Sequence, residues 1–308
     1  MVLTQSFPVG VALSYWKWNA SFVKMRANMA VTSCHWRRPL WFSVNFLPLH
    51  HHDNIAMRIW ISLACVLSSW CISVNAQTIK TIPFKDGVHA YAVTEPEQKP
   101  RAILVMFIGG DGGLNLVTRG SLSGVNVLIR MRPALEAAGM TLLYVDIPDR
   151  QFSRSDAEYA RSVGKIIEQE NSAKLPVFVA GISRGSISAA NVASRVPVSG
   201  MILLSAVTGS TYDGTVRDAP VADISAPSLL LIHNRDACVS SGSESALRSF
   251  ARDMKKSSST IVVLEGGRDE SSGVGRTAAC HPKSYHGFNG IDTNVAGTIM
   301  KWISSVTK

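Results

Sequence analysis

A predicted strand that ends in a glycine-flanked serine constrains the fold more than any other feature of this sequence. The apolar run 176–180 leads directly into Gly181-Ile182-Ser183-Arg184-Gly185, and the small or apolar segment 186–192 follows. This order predicts a buried strand, a tight turn and a closely packed helix, with Ser183 in a strained backbone conformation in the turn. In such a turn a side chain at position 181 or 185 would collide with a neighbouring strand or helix, which explains the glycines at these two positions.

The same five residues have the form of a nucleophile elbow, in which a serine hydroxyl is exposed above a sheet. They indicate a serine hydrolase with Ser183 as its nucleophile. An ordinary strand-to-helix turn that contains a serine is the alternative, because a short motif needs its structural context before it identifies a function. The rest of the chain has to distinguish the two interpretations.

The first 76 residues differ in character from the rest. Met57-Arg58 gives a charged start, 59–74 is largely apolar, and Val74-Asn75-Ala76 has small residues at the positions that a signal peptidase requires. Segment 57–76 is therefore predicted to be a cleaved signal peptide, which makes the protein periplasmic or secreted. A membrane anchor is the alternative, but the run is shorter than the ~20 residues that span a bilayer, so no stable membrane span is expected after cleavage.

Tryptophan usage also changes at this point. Six of the seven tryptophans precede Gln77, and only Trp302 follows it. This break predicts that Met57 is the true start and that 1–56 is a non-native or disordered extension. A long basic targeting extension is the alternative.

The net charge gives no sign of a nucleic-acid partner. The whole chain carries +9, and six basic residues and Asp53 contribute +5 of this before Gln77, which leaves +4 for 77–308. So small a charge, with no basic run interleaved with aromatics, does not indicate a nucleic-acid partner. The length of 77–308 suits one sizeable α/β domain.

Apolar runs alternate with segments of helical spacing throughout 77–308. Repeating units of this kind predict a mostly parallel central sheet with helices on both faces. The predicted strands are 78–84, 88–93, 102–108, 141–147, 176–180, 200–206, 228–233 and 259–264, and the predicted helices are 125–138, 155–170, 186–192, 243–254 and 290–304.

A serine nucleophile needs a histidine base and a carboxylate that orients it. Four histidines follow residue 77, of which His89 and His233 belong to predicted strands and read as structural. His286, in a loop before the last helix, is the preferred base, and His281 is its rival.

The carboxylate is expected beyond a strand, between serine and histidine in sequence. Asp236 directly follows the strand 228–233 and is the preferred acid, although a helix-capping or turn-forming role also fits it. Asp213, Asp218 and Asp223 are competitors in the loop after the preceding strand.

The order Ser183, Asp236, His286, each just beyond a predicted strand, resembles the α/β-hydrolase superfamily over essentially all of 77–308. Within it, the sequence is similar to the small lidless enzymes related to dienelactone hydrolase, which share a His-Gly-Phe near the end. Gly-Asp-Gly-Gly at 110–113 also resembles a periplasmic virulence-protein branch.

This resemblance implies an oxyanion hole made of two backbone N–H groups. One is that of Arg184, and the other is that of Gly110 or Asp111. A phosphate-cradling loop is the alternative interpretation of 109–113, but Asn115 stands where the dinucleotide-binding pattern needs a third glycine or alanine.

Only two cysteines, Cys238 and Cys280, follow the predicted signal peptide. In an exported protein they are expected to form a disulfide, although free buried thiols remain the alternative. The bridge would join the Asp236 loop to the His286 loop. A metal site that combines both cysteines with His281 and Asp236 lacks the paired ligand spacings of zinc sites, so no metal or cofactor is predicted.

These observations predict an exported serine hydrolase that cleaves an ester bond through an acyl-enzyme. Segment 207–227 is too short for a folded lid, so the site is expected to be open to a small molecule or to the end of a polymer. Arg268, Arg276 and Lys283 are placed to contact an anionic substrate, but a solvated surface loop explains them as well. A non-catalytic binding protein on the same fold and an acyltransferase with the same triad are the alternatives. Oligomeric state is left open.

Overall fold

The computed structural model describes residues 77–148, 153–209, 214–272 and 276–307, without the side chains of 276 and 277. The predicted extension 1–56 and signal peptide 57–76 lie outside these ranges. Within them, no helix combines the length and the hydrophobicity that a membrane crossing requires.

Eight strands of the described chain form one sheet in the order β1-β2-β4-β3-β5-β6-β7-β8. The pairs β1–β2 and β2–β4 are antiparallel and all others are parallel. The strands are β1 (Gln77–Phe84), β2 (Gly87–Thr94), β3 (Ala102–Phe107), β4 (Met140–Val145), β5 (Val177–Ile182), β6 (Gly200–Leu204), β7 (Ser228–His233) and β8 (Ser259–Leu264).

Helices occupy most of the crossovers between the parallel strands, as the alternating sequence pattern predicts. The described α-helices are α1 (Leu116–Arg119), α2 (Val127–Arg130), α3 (Arg132–Ala137), α4 (Ala157–Glu170), α5 (Gly185–Ala193), α6 (Glu244–Asp253), α7 (Arg276–Ala279) and α8 (Asp292–Val306), and short 3₁₀ helices cover Val216–Asp218, Val221–Asp223 and Tyr285–Gly287.

Two apolar cores lie on opposite faces of the sheet. Side chains of a strand alternate between its faces, and on β3 Val105 belongs to the core that contains α4 and α5 residues, whereas Leu104 belongs to the core that contains α8 residues. Every residue of β3 is buried. Burial on both faces explains why the central strands read as continuous apolar runs, and the predicted mostly parallel sheet with helices on both faces is confirmed.

One predicted helix is wrong in detail. Segment 125–138 is not continuous but is divided at Met131 into α2 and α3. Pro133 stands at the start of α3, where its missing N–H needs no partner, but its ring would clash with the carbonyl of residue 129 inside a continuous helix. The proline therefore determines where the second helix begins.

His89 on β2 lies fully buried beside the carboxyl end of β4. Its Nε2 donates to the Asp146 carbonyl at 2.9 Å, and its Nδ1 accepts from the Ser162 hydroxyl at 2.7 Å. Burial outweighs the hydrogen bond to Asp146 and lowers the pKa of His89 from 6.5 to about 4. The imidazole is thus a neutral structural group, in agreement with its sequence-based interpretation.

This depressed pKa predicts a loss of stability in mild acid. Above pH 6.5 His89 is neutral in both the folded and the unfolded state, so its full contribution to the free energy of unfolding is present. As the pH falls towards 4, His89 becomes protonated in the unfolded chain but stays neutral in the native state. This difference lowers the free energy of unfolding by about 3 kcal/mol. Urea unfolding across this range should show a steeper decline for the wild type than for His89→Gln. Equal slopes for the two proteins would contradict the prediction.

Candidate active site

Ser183 lies in a sharp turn between β5 and α5. Its φ of 51° is in the left-handed region, which a non-glycine residue rarely adopts. A Cβ at Gly181 would lie 2.2 Å from the Gly185 carbonyl oxygen, and one at Gly185 would lie 2.0 Å from the Phe107 carbonyl oxygen. Both glycines are therefore required by close approach of backbone to backbone. The turn has the strained geometry of a nucleophile elbow.

The hydroxyl of Ser186 holds this turn in place. It donates to the Ser183 carbonyl at 2.6 Å and accepts from the Val207 amide at 3.0 Å. The Ser183 amide donates to the Leu204 carbonyl at 3.0 Å. The elbow is thus anchored to the end of β6 by a buried side chain that the sequence reading treated only as part of a helix.

The side chains of Asp236 and His286 are buried and lie within hydrogen-bonding distance of each other, next to the elbow. His286 Nδ1 lies 3.0 Å from Asp236 Oδ2 and 3.3 Å from Oδ1. The side chains of the histidine and the aspartate are 3% and 0% exposed. Asp236 follows β7, and His286 lies in the 3₁₀ helix before α8. A carboxylate on Nδ1 leaves Nε2 as the ring nitrogen that can accept a proton.

Ser241 is a third member of this group that sequence reasoning missed. Its hydroxyl donates to Asp236 Oδ2 at 2.9 Å and lies 3.1 Å from His286 Nδ1. The Cys238 amide donates to Asp236 Oδ1 at 2.9 Å. Burial raises the pKa of Asp236, but the His286 hydrogen bond and charge, with the Cys238 and Ser241 donors, outweigh it and hold this pKa below its ordinary value. Asp236 is therefore kept ionised.

The Nε2 atom of His286 is buried and has no hydrogen-bond partner in the part of the chain that the structure describes. Buried polar atoms are normally paired, so such an atom calls for an explanation. Ser183 and His286 line the same cavity. In the described structure no hydrogen bond joins His286 Nε2 to Ser183. Hydrogen bonds between catalytic groups are often long in an enzyme without substrate and shorten when substrate binds.

The glycine-rich segment 109–113 follows β3 and faces the elbow. A Cβ at Gly109 would lie 3.0 Å from Ser183 Cβ, so this backbone passes directly against the serine. Both Gly110 and Asp111 are exposed, and of the two only Gly110 lines the cavity in the described structure. Arg184 precedes the first turn of α5, where backbone N–H groups have no acceptor within the helix. The backbones of Gly109 and of Arg184 thus both adjoin Ser183.

Two buried charged residues fix the segment after β3. Asp146 accepts from the Leu114 amide at 2.7 Å and from the Leu116 amide at 2.9 Å. Arg154 donates to the Ile108 carbonyl at 3.3 Å and to the Gly110 carbonyl at 3.2 Å. No local motif marks either residue, because their partners lie about 30 to 46 positions away in sequence.

A cavity of about 260 Å³ opens beside Ser183 and His286. This volume is slightly below the roughly 300–1,000 Å³ that is usual for small-molecule sites. The cavity therefore suits a small group. Its apolar wall is formed by Ile108, Leu114, Val125, Val127, Ile129 and Pro282.

Known proteins share this architecture without close sequence similarity. A dienelactone hydrolase from Anabaena variabilis is 14% identical, with a TM-score of 0.51 over 75% of this chain and 97% of that one. A lidless α/β serine hydrolase from Xanthomonas campestris is 16% identical, with a TM-score of 0.51 over 74% of this chain and 94% of that one. An α/β serine hydrolase homologue from Coxiella burnetii is 15% identical, with a TM-score of 0.52 over 73% and 96%. The chain has the α/β-hydrolase fold. Its sequence matches no protein-family model and no curated protein.

The sequence predicts that the connection between β6 and β7 is too short for a folded lid. Here the described residues between Leu204 and Ser228 contain two 3₁₀ helices of three residues each. This agrees with the lidless organisation predicted from the sequence and with the lidless neighbour.

Cys238 and Cys280 form a disulfide across 42 residues of sequence, with their Cα atoms 4.7 Å apart. Cys238 also donates its amide to Asp236, and Cys280 lines the cavity. The bridge connects the two loops that position Asp236 and His286. A disulfide indicates an oxidising compartment.

Reducing this disulfide should destabilise the α/β-hydrolase domain. Loss of a cross-link that closes a loop of this length corresponds to about 4 kcal/mol in the chain-entropy model. Unfolding free energies of the oxidised protein and of the Cys238→Ser/Cys280→Ser double variant would measure the difference. A double variant as stable as the wild type would contradict the expectation.

The competing residues of the sequence reading have other partners. His233 donates from Nε2 to the Gly266 carbonyl at 2.8 Å and accepts at Nδ1 from the Arg235 amide. His281 accepts at Nδ1 from the Lys283 amide at 3.1 Å. The Asp218 side chain caps a 3₁₀ helix and Asp223 pairs with Lys256, whereas Asp213 lies outside the described residues. Across the described ranges, His, Cys, Asp and Glu side chains form no cluster suited to a metal ion.

Proposed function

We propose that this protein is a serine hydrolase that cleaves an ester bond through an acyl-enzyme, with Ser183, His286 and Asp236 as its triad. The main support is the buried Asp236–His286 pair beside a cavity that Ser183 also lines. The Nε2 atom of His286 has no hydrogen-bond partner among the described residues. The α/β-hydrolase fold supports the proposal, but function depends on the site and not on the fold.

In the first half-reaction, His286 Nε2 accepts the proton of the Ser183 hydroxyl while its oxygen attacks the ester carbonyl carbon. The carbonyl electron pair moves to oxygen, and the resulting oxyanion is stabilised by backbone N–H groups of Arg184 and of Gly110 or Asp111. The intermediate collapses, the bond to the alcohol oxygen breaks, and His286 returns the proton to the departing alcohol.

The second half-reaction repeats these steps with water. His286 accepts a proton from water, the hydroxide attacks the acyl carbon, and the bond to Ser183 Oγ breaks as that oxygen regains a proton. Asp236 stabilises the imidazolium in both halves and stays ionised because three donors surround its carboxylate. No metal or cofactor takes part in this scheme.

The substrate is an ester with a small group on the side that enters the cavity. The volume of about 260 Å³ and the short β6–β7 connection favour an open site for short esters or the ends of larger molecules. The disulfide further supports a location in the periplasm or outside the cell.

The test is hydrolysis of 4-nitrophenyl acetate, butanoate and octanoate by the purified protein, with Ser183→Ala as control. We expect hydrolysis of the shorter esters, and we expect it to fall to the background rate in the variant. Equal rates for wild type and variant would show that Ser183 is not the nucleophile. Transfer of the acyl group to an added alcohol in preference to water would identify an acyltransferase instead.

A further inference from the structure

Among the described residues, the lining of the cavity beside Ser183 includes one arginine, Arg119, that no neighbouring carboxylate neutralises. Arg119 ends α1, is exposed and lines the cavity. Its guanidinium makes no ion pair or hydrogen bond with the described chain. Arg130, on the neighbouring α2, differs, because Asp292 and the Gly287 carbonyl engage it.

No carboxylate is present among the cavity-lining residues of the described chain. Besides His286, the other lining residues are glycines, apolar side chains, two serines, one asparagine and a disulfide cysteine. A positive charge beside an apolar wall attracts an anion more strongly than the same charge in bulk water. Guanidinium groups also bind carboxylate and phosphate through two parallel hydrogen bonds.

We propose that Arg119 is a specificity-determining residue that binds an anionic group of the ester substrate. The inference rests on the proposed ester hydrolase function and specifies its substrate class: an ester whose acyl or alcohol part carries a carboxylate or phosphate. Because Arg119 and Ser183 line the same small cavity, we expect the anion and the reacting carbonyl to be separated by a short chain of atoms.

Arg119 lies outside the loop 266–285, whose basic residues the sequence explains either as substrate contacts or as a solvated surface. Arg268 of that loop is bound to Glu270, and the Lys283 side chain is exposed and is not part of the cavity lining. Arg276 has no described side chain. Arg119 instead belongs to the segment after β3, and it lines the same cavity as Gly109 and Gly110.

The experiment compares esters that differ only in charge. One pair carries carboxylate or carboxamide at the end of the acyl chain: the 4-nitrophenyl monoester of adipic acid and its carboxamide analogue. The other pair carries the same two groups on the alcohol side: 3-carboxyphenyl butanoate and 3-carbamoylphenyl butanoate. The quantity measured is the ratio of kcat/KM for carboxylate over carboxamide in each pair.

We expect the wild type to prefer the carboxylate by about tenfold or more in one pair, because hydrogen bonds to charged groups contribute more than neutral ones. Arg119→Gln should lower that ratio to about one, and Arg119→Lys should retain part of it. Arg252→Gln removes the same charge from an exposed site on α6 outside the cavity, and should retain the full ratio. Salt at about 1 M should also reduce the preference.

A ratio near one in both pairs would overturn the inference, as would a carboxylate preference that survives in Arg119→Gln. Both outcomes leave Ser183-dependent hydrolysis of the carboxamide esters in place. Failure of the proposed function looks different, because no ester of either pair would then be hydrolysed in a Ser183-dependent manner.

Discussion

Replacing Asp236 with asparagine is expected to lower kcat about 10⁴-fold, as loss of the carboxylate does in other serine triads. The structure gives a specific reason. The Cys238 amide needs an acceptor at the Oδ1 position, so the amide nitrogen of an asparagine would take the Oδ2 position and face His286 Nδ1. Nδ1 would then have to accept, which places the ring proton on Nε2. A histidine in this tautomer cannot take the Ser183 proton.

Steady-state kinetics on a short 4-nitrophenyl ester would measure the change, with circular dichroism to verify the fold. Asp223→Asn is the matched control, because the Asp223 side chain forms an exposed ion pair with Lys256 and has no other partner in the described ranges. Its kcat should stay within about twofold of the wild type, because Asp223 does not line the cavity and its exposed ion pair contributes at most about 1 kcal/mol to stability. A kcat for Asp236→Asn within tenfold of the wild type would show that this carboxylate does not orient the base.

Replacing Gly185 with alanine is expected to have the largest effect on stability. The added Cβ would lie 2.0 Å from the Phe107 carbonyl oxygen and 2.7 Å from the Ile108 carbonyl oxygen. Both atoms are backbone at the end of β3, so relief of the clash requires α5 to separate from the sheet. We expect a loss of at least about 4 kcal/mol in unfolding free energy, or failure to fold.

Gly297→Ala provides the matched control for this change. Gly297 lies within α8, and nothing is found within 4 Å of a Cβ added there. Alanine should therefore stabilise that helix by up to about 1 kcal/mol. Urea unfolding of the two variants gives the comparison. An unfolding midpoint for Gly185→Ala equal to that of the wild type would mean that β3 and α5 are not held together as described.

Most of the fold is readable from the sequence because parallel strands covered on both faces must be apolar throughout. The run 228–233 was predicted with its observed bounds, and the elbow followed from two glycines and a serine. Local disruptions were harder to predict. Pro133 divides a segment whose apolar spacing alone indicates one continuous helix.

Only part of the candidate active site can be predicted from the sequence. The sequence order of Ser183, Asp236 and His286 pointed to three positions that the structure places around one cavity or pairs directly. Ser241 could not be found this way, because its contact with His286 spans 45 residues and a serine after a strand is common. The role proposed for Arg119 likewise depends on which charges already have partners, and sequence spacing carries no such information.

Whether Ser183 is an activated nucleophile can be measured by labelling the protein with a fluorophosphonate probe. The probe reacts covalently with a serine only when a base removes its proton. We expect the wild-type protein to be labelled at Ser183, as identified by peptide mass spectrometry, and Ser183→Ala to remain unlabelled. A well-folded wild-type protein without label, or a label that persists in Ser183→Ala, would contradict the account.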